Sequence, residues 1–190
     1  MTAVTTPAAL RRRAIPDNLV YEVLDGQKIY YRNYKQILNR KITLESVMGY
    51  GALQWVLINL LTKHFNLNLP AHLMVLSGEG GLHLSHSDNL SLDFTIFETT
   101  QLDFANLKNK YIDFPPKCVI EVDTKAQIEV ANNVNYYTRK TKKLLEFGVP
   151  EVVWIFTETK TIWLAKPNTA WLIVNWDDEI TVMNQSFSLQ

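Results

Sequence analysis

The sequence predicts a mixed α/β domain of the α+β kind, built around one β-sheet. Three observations predict it. The chain has 190 residues, 47% of them hydrophobic and 20% charged, which suits one domain able to bury a core without staples. Two long stretches carry apolar residues at helical spacing. Around them lie short apolar runs bounded by Gly, Pro, Asp and Asn, the mark of strands and turns. The order reads hairpin, helix, strands, helix, strands, which is a sheet with helices against it.

Residues 1–14 read as a flexible arm and 15–190 as the single domain. Arg11-Arg12-Arg13 has no apolar segment after it, so the arm is not a secretory signal. Its plain reading is a disordered tail, and its sharper one an arm that touches phosphates. Leu19 to Asp25 and Lys28 to Arg32 flank Asp25-Gly26, a strong turn signal, and form a hairpin. A buried helix follows from Thr43 to about Phe65, with Leu44, Val47, Met48, Ala52, Trp55, Val56, Ile58 and Leu60 in its apolar pattern. Gly49 and Gly51 count against its middle, because a mid-helix glycine costs ~1 kcal/mol.

Residues 72–77 read as a strand, Gly78 to Gly81 as a turn, and Leu82 to Ser85 as a return. Leu90 to Phe97 is the next strand, with Leu90, Leu92, Phe94 and Ile96 as its apolar members. Pro115-Pro116 breaks the chain before the short strand Cys118 to Val122. A second helix spans roughly Glu129 to Phe147, its inner face holding Val130, Val134, Tyr137, Thr141, Leu144 and Leu145. Gly148 and Pro150 stop it. Residues 151–156, 161–165, 171–174 and 180–183 read as antiparallel strands.

Nineteen Lys and Arg balance nineteen Asp and Glu, for zero net charge. That excludes an acidic or basic disordered chain and whole-molecule attraction to DNA or to anionic membranes. A nucleic-acid surface would have to be local. Cys118 is the one cysteine, so no internal disulfide forms and a cytoplasmic setting fits. No apolar run reaches the ~18 residues of a membrane span.

The chemically informative segment is Val119 to Lys125. Strand alternation puts Glu121, Asp123 and Lys125 on one side of an otherwise apolar strand. Charges buried there need partners or a metal. Asp93 interrupts a second apolar strand. If the two strands are neighbours, Asp93, Glu121 and Asp123 form an oxygen cluster suited to Mg²⁺. Read singly, Asp93 is an acid where a strand meets water. Lys140 lies on the edge of its helix's apolar stripe. It either snorkels to water or reaches the carboxylates from above the sheet.

These residues resemble the Uma-two family, assigned as restriction endonucleases of the PD-(D/E)XK nuclease superfamily and common in cyanobacteria. The likeness runs from about Tyr21 to Trp176. Tyr21 to Gly26 is similar to the opening YEL-DG pattern, and Leu92-Asp93 takes the place of PD. Pro115-Pro116 with Val119 to Val122 is similar to PP-x-x-VxEV. Lys140 to Trp154, with Gly148-Val149-Pro150-Glu151 inside it, is similar to K-x-x-x-Y-x-x-x-GVPEYW. The resemblance implies a restriction-endonuclease-like central mixed sheet flanked by helices. It implies metal-assisted phosphodiester hydrolysis of DNA by a homodimer. Asp93 and Glu121 would bind Mg²⁺, or Mn²⁺, and Glu22 would support them. The superfamily's lysine stands two residues after the second acid. That position holds Asp123 counted from Glu121 and Lys125 counted from Asp123, so Lys125 and the helical Lys140 both stay open. A module that keeps the fold without catalysis is the rival reading.

Other features carry less. His83 and His86 lack a third ligand for zinc and read as surface histidines. Gly78 to Gly81 is not followed by the Lys-Ser/Thr of a phosphate loop. Cys118 reads as core. Arg139, Lys140, Lys142 and Lys143 form a basic helix patch that could meet a phosphate backbone. The tryptophans at 154, 163, 171 and 176 read as core or as a dimer interface.

Overall fold

Asp25 and Gly26 turn the chain where the sequence places a hairpin. Both hold left-handed backbone, with φ of 52° and 71°, as a two-residue hairpin turn requires. Strands β1 (Val20–Leu24) and β2 (Gln27–Tyr30) pair antiparallel across it. The computed structural model describes residues 14–103, 105, 107–123 and 133–189. The arginine run and the rest of the arm through residue 13 lie outside the described residues.

Helices α1 (Tyr34–Leu38) and α2 (Glu45–Met48) are short and lead to α3 (Ala52–Asn68). The expected single helix from Thr43 to Phe65 is therefore two. Gly49 and Gly51 take extended backbone at the break, where two glycines so close together make helix costly.

Strands β3 (Leu73–Ser85) and β4 (Asp88–Glu98) form a long antiparallel pair. The turn expected at Gly78 to Gly81 is instead a bulge inside β3. Ser77 faces Phe94 and Gly80 faces Leu92, so β3 spends three steps where β4 spends two. Gly81 is dictated by packing, since a Cβ there would lie 2.4 Å from Tyr111 Cδ1.

Strand β5 (Cys118–Val122) joins β4 antiparallel and β6 (Glu151–Phe156) parallel. A parallel pair needs a crossover, and α4 (Asn133–Phe147) supplies it. Gly148, at φ 107°, ends α4 as expected. Its N–H donates to Leu145 O, and that of Val149 to Leu144 O. Strands β7 (Thr161–Ala165) and β8 (Leu172–Asn175) continue the sheet antiparallel. Strands β9 (Ile180–Val182) and β10 (Gln185–Phe187) form a separate hairpin, so residues 180–182 leave the main sheet and β10 adds a strand that the sequence pattern does not announce.

The main sheet runs β2-β1-β4-β5-β6-β7-β8, with β3 along β4. Helices cover it on both faces, the mixed architecture the sequence predicts. One core gathers Leu57, Ile58, Leu61 and Phe65 of α3 against Phe94, Ile96, Ile120, Val122 and Ile155, closed by Ile180, Val182 and Phe187. The other gathers Tyr136 and Leu144 of α4 against Tyr21, Leu24, Leu90, Leu92, Val119 and Trp154. Among the described residues no helix is long and apolar enough to cross a membrane.

Candidate active site

Three acids sit where a strand departs from regularity. In β1 the register slips between Val20 and Glu22, and Tyr21 and Glu22 are both buried. In β4, Leu90 and Leu92 belong to the α4 core, while Phe94 and Ile96 belong to the α3 core. Even-numbered residues of a regular strand share one face, so alternation slips at Asp93. In β5 alternation is regular, with Ile120 and Val122 toward α3 and Val119 toward α4. Glu121 shares the α4 side with Val119. The strand then ends, and Asp123 turns into left-handed backbone at φ 55°. Irregularities of this kind re-aim a side chain that alternation would send elsewhere.

Lys140 is the centre of the arrangement. It is 0% exposed, and its Nζ lies 2.9 Å from Glu22 Oε2, 2.9 Å from Glu121 Oε1 and 2.8 Å from Ser91 O. The rings of Tyr21 and Trp154 flank the ammonium, with centroids 5.9 and 5.7 Å away. Glu22 is held further by Tyr136, whose hydroxyl donates to Oε1 at 2.6 Å, and by the Ser91 N–H at 3.3 Å from Oε2. Trp154 Nε1 donates to Thr141 Oγ1 at 2.8 Å, so this indole is satisfied too.

Asp93 faces the end of β5. Its Oδ2 accepts the Val122 N–H at 3.0 Å and Gln54 Nε2 at 3.2 Å. The same Gln54 nitrogen donates to Val122 O at 2.7 Å. Burial and then the nearby charge of Asp93 push the Tyr50 hydroxyl well above its ordinary pKa. Tyr50 and Gln54 line a polar pocket of about 470 Å³ with Arg32, Ser46, Asp123 and Thr157.

The electrostatics follow from burial. Burial pushes the Glu121 carboxyl up to about 8; Lys140 pulls it down, and Asp93 and Glu22 add to the rise. Burial also works against the charge of Lys140. Glu121, Glu22 and Tyr21 together outweigh it and hold the ammonium well above the usual lysine range. With Glu121 protonated below about 8 the group is neutral, and one negative charge is in excess only when both carboxylates ionise around the ammonium.

The structure thus brings Glu22, Asp93, Glu121 and Lys140 together. It does not bring Asp123 with them: its carboxylate accepts the Thr157 N–H at 2.9 Å and the Thr157 hydroxyl. The expected three-acid cluster fails because β5 ends before alternation reaches Asp123, and among the described residues no three His, Cys, Asp or Glu side chains gather as a metal site. Lys125 lies outside the described residues. Lys140 does not snorkel from a stripe edge, because Tyr136 joins Lys140, Thr141 and Leu144 on the buried face. Nor does the basic patch stand free. Arg139 Nη2 is 2.6 Å from Asp25 Oδ2, and Lys143 Nζ is 2.8 Å from Asp25 Oδ1 and 3.3 Å from Asp88 Oδ2. Hydrogen bonds from Lys143 and Arg139 hold Asp25 below its usual pKa. His83 Nδ1 pairs with Asn89 Oδ1 at 2.6 Å, and Cys118 is buried, which pushes its thiol well up.

Sequence reasoning missed Tyr136, Tyr50 and Gln54. Gln54 had left a signal as a polar residue inside the apolar run Leu53 to Leu61. Tyr136 was hidden beside Tyr137, which it displaces from the centre of the stripe.

No family model matches the chain, and no curated protein does. Among solved structures it is similar to a candidate nuclease belonging to DUF820 from Anabaena variabilis. The likeness has a TM-score of 0.63 at 13% sequence identity and covers 88% of this chain and 86% of that one. The chain therefore has a nuclease-like fold.

Proposed function

We propose that this chain is a metal-dependent DNA endonuclease that hydrolyses phosphodiester bonds. The observation that carries the reading is the convergence of Asp93, Glu121 and Lys140 from three separate elements, beside a polar pocket. The neighbour described as a candidate nuclease and the motifs similar to the Uma-two family support it.

The donors fit Mg²⁺, with Mn²⁺ as a substitute. Asp93, Glu121 and the Val122 carbonyl offer only oxygen, and Mg²⁺ commonly takes one or two carboxylates with water and substrate phosphate. Burial first, and then the charges of Asp93 and Glu22, raise the Glu121 pKa, and a cation would offset both. Bound there, the ion would polarise the phosphate and make water more acidic. Asp93 and Glu121 would hold and orient it. Lys140, wholly buried, is a positioning residue: it fixes the Glu121 carboxyl group and favours its ionised form against burial. Glu22 and Tyr136 in turn fix Lys140. Lys125 is the other lysine for the superfamily role on sequence grounds.

A homodimer follows from the chemistry, since cutting both strands of a duplex calls for two sites. A second copy on α3 suits its outer face, where Leu53, Val56, Leu60 and Leu67 are all more than half exposed at spacings of three, four and seven. A cytoplasmic setting accords with a lone buried cysteine. The second reading, an inactive module that keeps the fold, draws on Lys140, whose three acceptors all belong to the protein.

Cleavage of supercoiled and of single-stranded circular DNA with Mg²⁺ or Mn²⁺ tests both. The nuclease reading expects cutting that Asp93→Ala and Glu121→Ala each reduce beyond the ~10–100-fold typical of groups outside the ligand set. A folded wild type that cuts neither substrate supports the module instead.

A further inference from the structure

One amide nitrogen touches two oxygens of the proposed metal site. Gln54 Nε2 lies 2.7 Å from Val122 O and 3.2 Å from Asp93 Oδ2. A carbonyl and a carboxylate only accept, so the NH₂ end of the amide must face them. A cation held by Asp93 and the Val122 carbonyl would need the space that this nitrogen fills. Gln54 stands in the first turn of α3, just after the extended residues Gly49 and Gly51, half-buried and lining the polar pocket. Its side chain thus has somewhere to go.

We propose that Gln54 is a reversible plug of the metal position. This rests on the reading of Asp93 as a metal ligand. With no ion bound, the amide supplies the partial positive charge that Asp93 and the Val122 carbonyl require, and it ties α3 to the end of β5. Ion binding displaces it into the pocket. The plug therefore weakens the wild-type protein's affinity for the ion and protects the site when the ion is absent.

The test is titration of Mn²⁺ into the full chain, reading the free ion by electron paramagnetic resonance. The proteins are wild type, Gln54→Ala, Gln54→Met and Asp93→Asn, each checked for folding by thermal melting. Gln54→Met keeps the volume and removes both donors, so it carries the test should the alanine variant fold poorly. The plug predicts Mn²⁺ affinity roughly five- to tenfold tighter in both Gln54 variants, the worth of about one lost hydrogen bond, and loss of binding in Asp93→Asn. Wild-type binding with equal or weaker affinity in the Gln54 variants overturns the plug and leaves the metal reading standing. Absence of Mn²⁺ binding in every protein overturns both.

Discussion

The two faces of the central sheet are built on opposite principles. Toward α3, the strands present Phe94, Ile96, Cys118, Ile120, Val122 and Ile155, and Phe65 fills the middle against the rings of Phe94, Phe187 and His64. Toward α4, the same strands bury Glu22, Glu121 and Lys140 among Tyr21, Tyr136 and Trp154. The first face gains its stability chiefly from apolar burial. The second desolvates three ionisable groups, a cost that an apolar filling would avoid. Stability explains the α3 face and leaves the α4 face unexplained. That difference is the physical ground for looking for function where the buried charged group meets Asp93 and the end of β5.

The largest expected effect comes from breaking the charged face. Lys140→Met leaves Glu22 and Glu121 without their cation and should cost about 3–5 kcal/mol in urea unfolding. Replacing the group together, with Glu22→Gln, Glu121→Gln and Lys140→Met, should recover much of that loss. A triple variant as unstable as the single one would mean that the ions contribute net stability, and the contrast between faces would fall.

On the α3 face, Phe65→Ala should cost a similar ~3–5 kcal/mol through its cavity. Its cost should be the same at pH 7.5 and pH 9, because the side chain packs against the rings of Phe94, Phe187 and His64 and no carboxylate is among these ring partners. A pH-dependent cost would show that the two faces are coupled.

The pH dependence belongs to Glu121. Its pKa in the folded chain, about 8, lies above its ordinary 4.5, so the folded state binds the extra proton between those values. The stability Glu121 contributes is full below about 4.5 and is lost as pH rises through about 8. Glu121→Gln should remove that slope, so the gap in urea midpoints between wild type and variant should move in the variant's favour from pH 5 to pH 9. A gap that stays constant would place the Glu121 pKa near its ordinary value.

The smallest effect expected is at the rim. Arg139→Ala removes a pair whose members are each about one-third exposed, and thermal unfolding should show a loss of no more than ~1 kcal/mol. A larger loss would extend the buried charge lattice out to the Asp25 turn.

Local chemistry was legible wherever it acted over a few residues. Asp25-Gly26 announced its hairpin, Gly148 its helix end, and Cys118 to Val122 its strand. The motifs around Asp93, Glu121 and Lys140 marked residues that the fold brings together. Gly78 to Gly81 misled, because glycines suit a bulge as well as a turn, and only pairing with β4 and the ring of Tyr111 decide between them. Asp123 misled because alternation was carried one step past the end of β5.

The sequence by itself determined the element types, most of their boundaries and the apolar pattern that selects a sheet between helices. Propensity, turn chemistry and periodicity are properties of neighbours along the chain. Only the tertiary structure decided the site. Glu22 and Lys140 are 118 residues apart, and their meeting depends on the slip in β1 and the placement of α4 over the sheet. The slip in β4 aims Asp93 at the end of β5, where α3 lays Gln54 across it. Each of those choices is made by pairing and packing with distant strands, which no local pattern encodes.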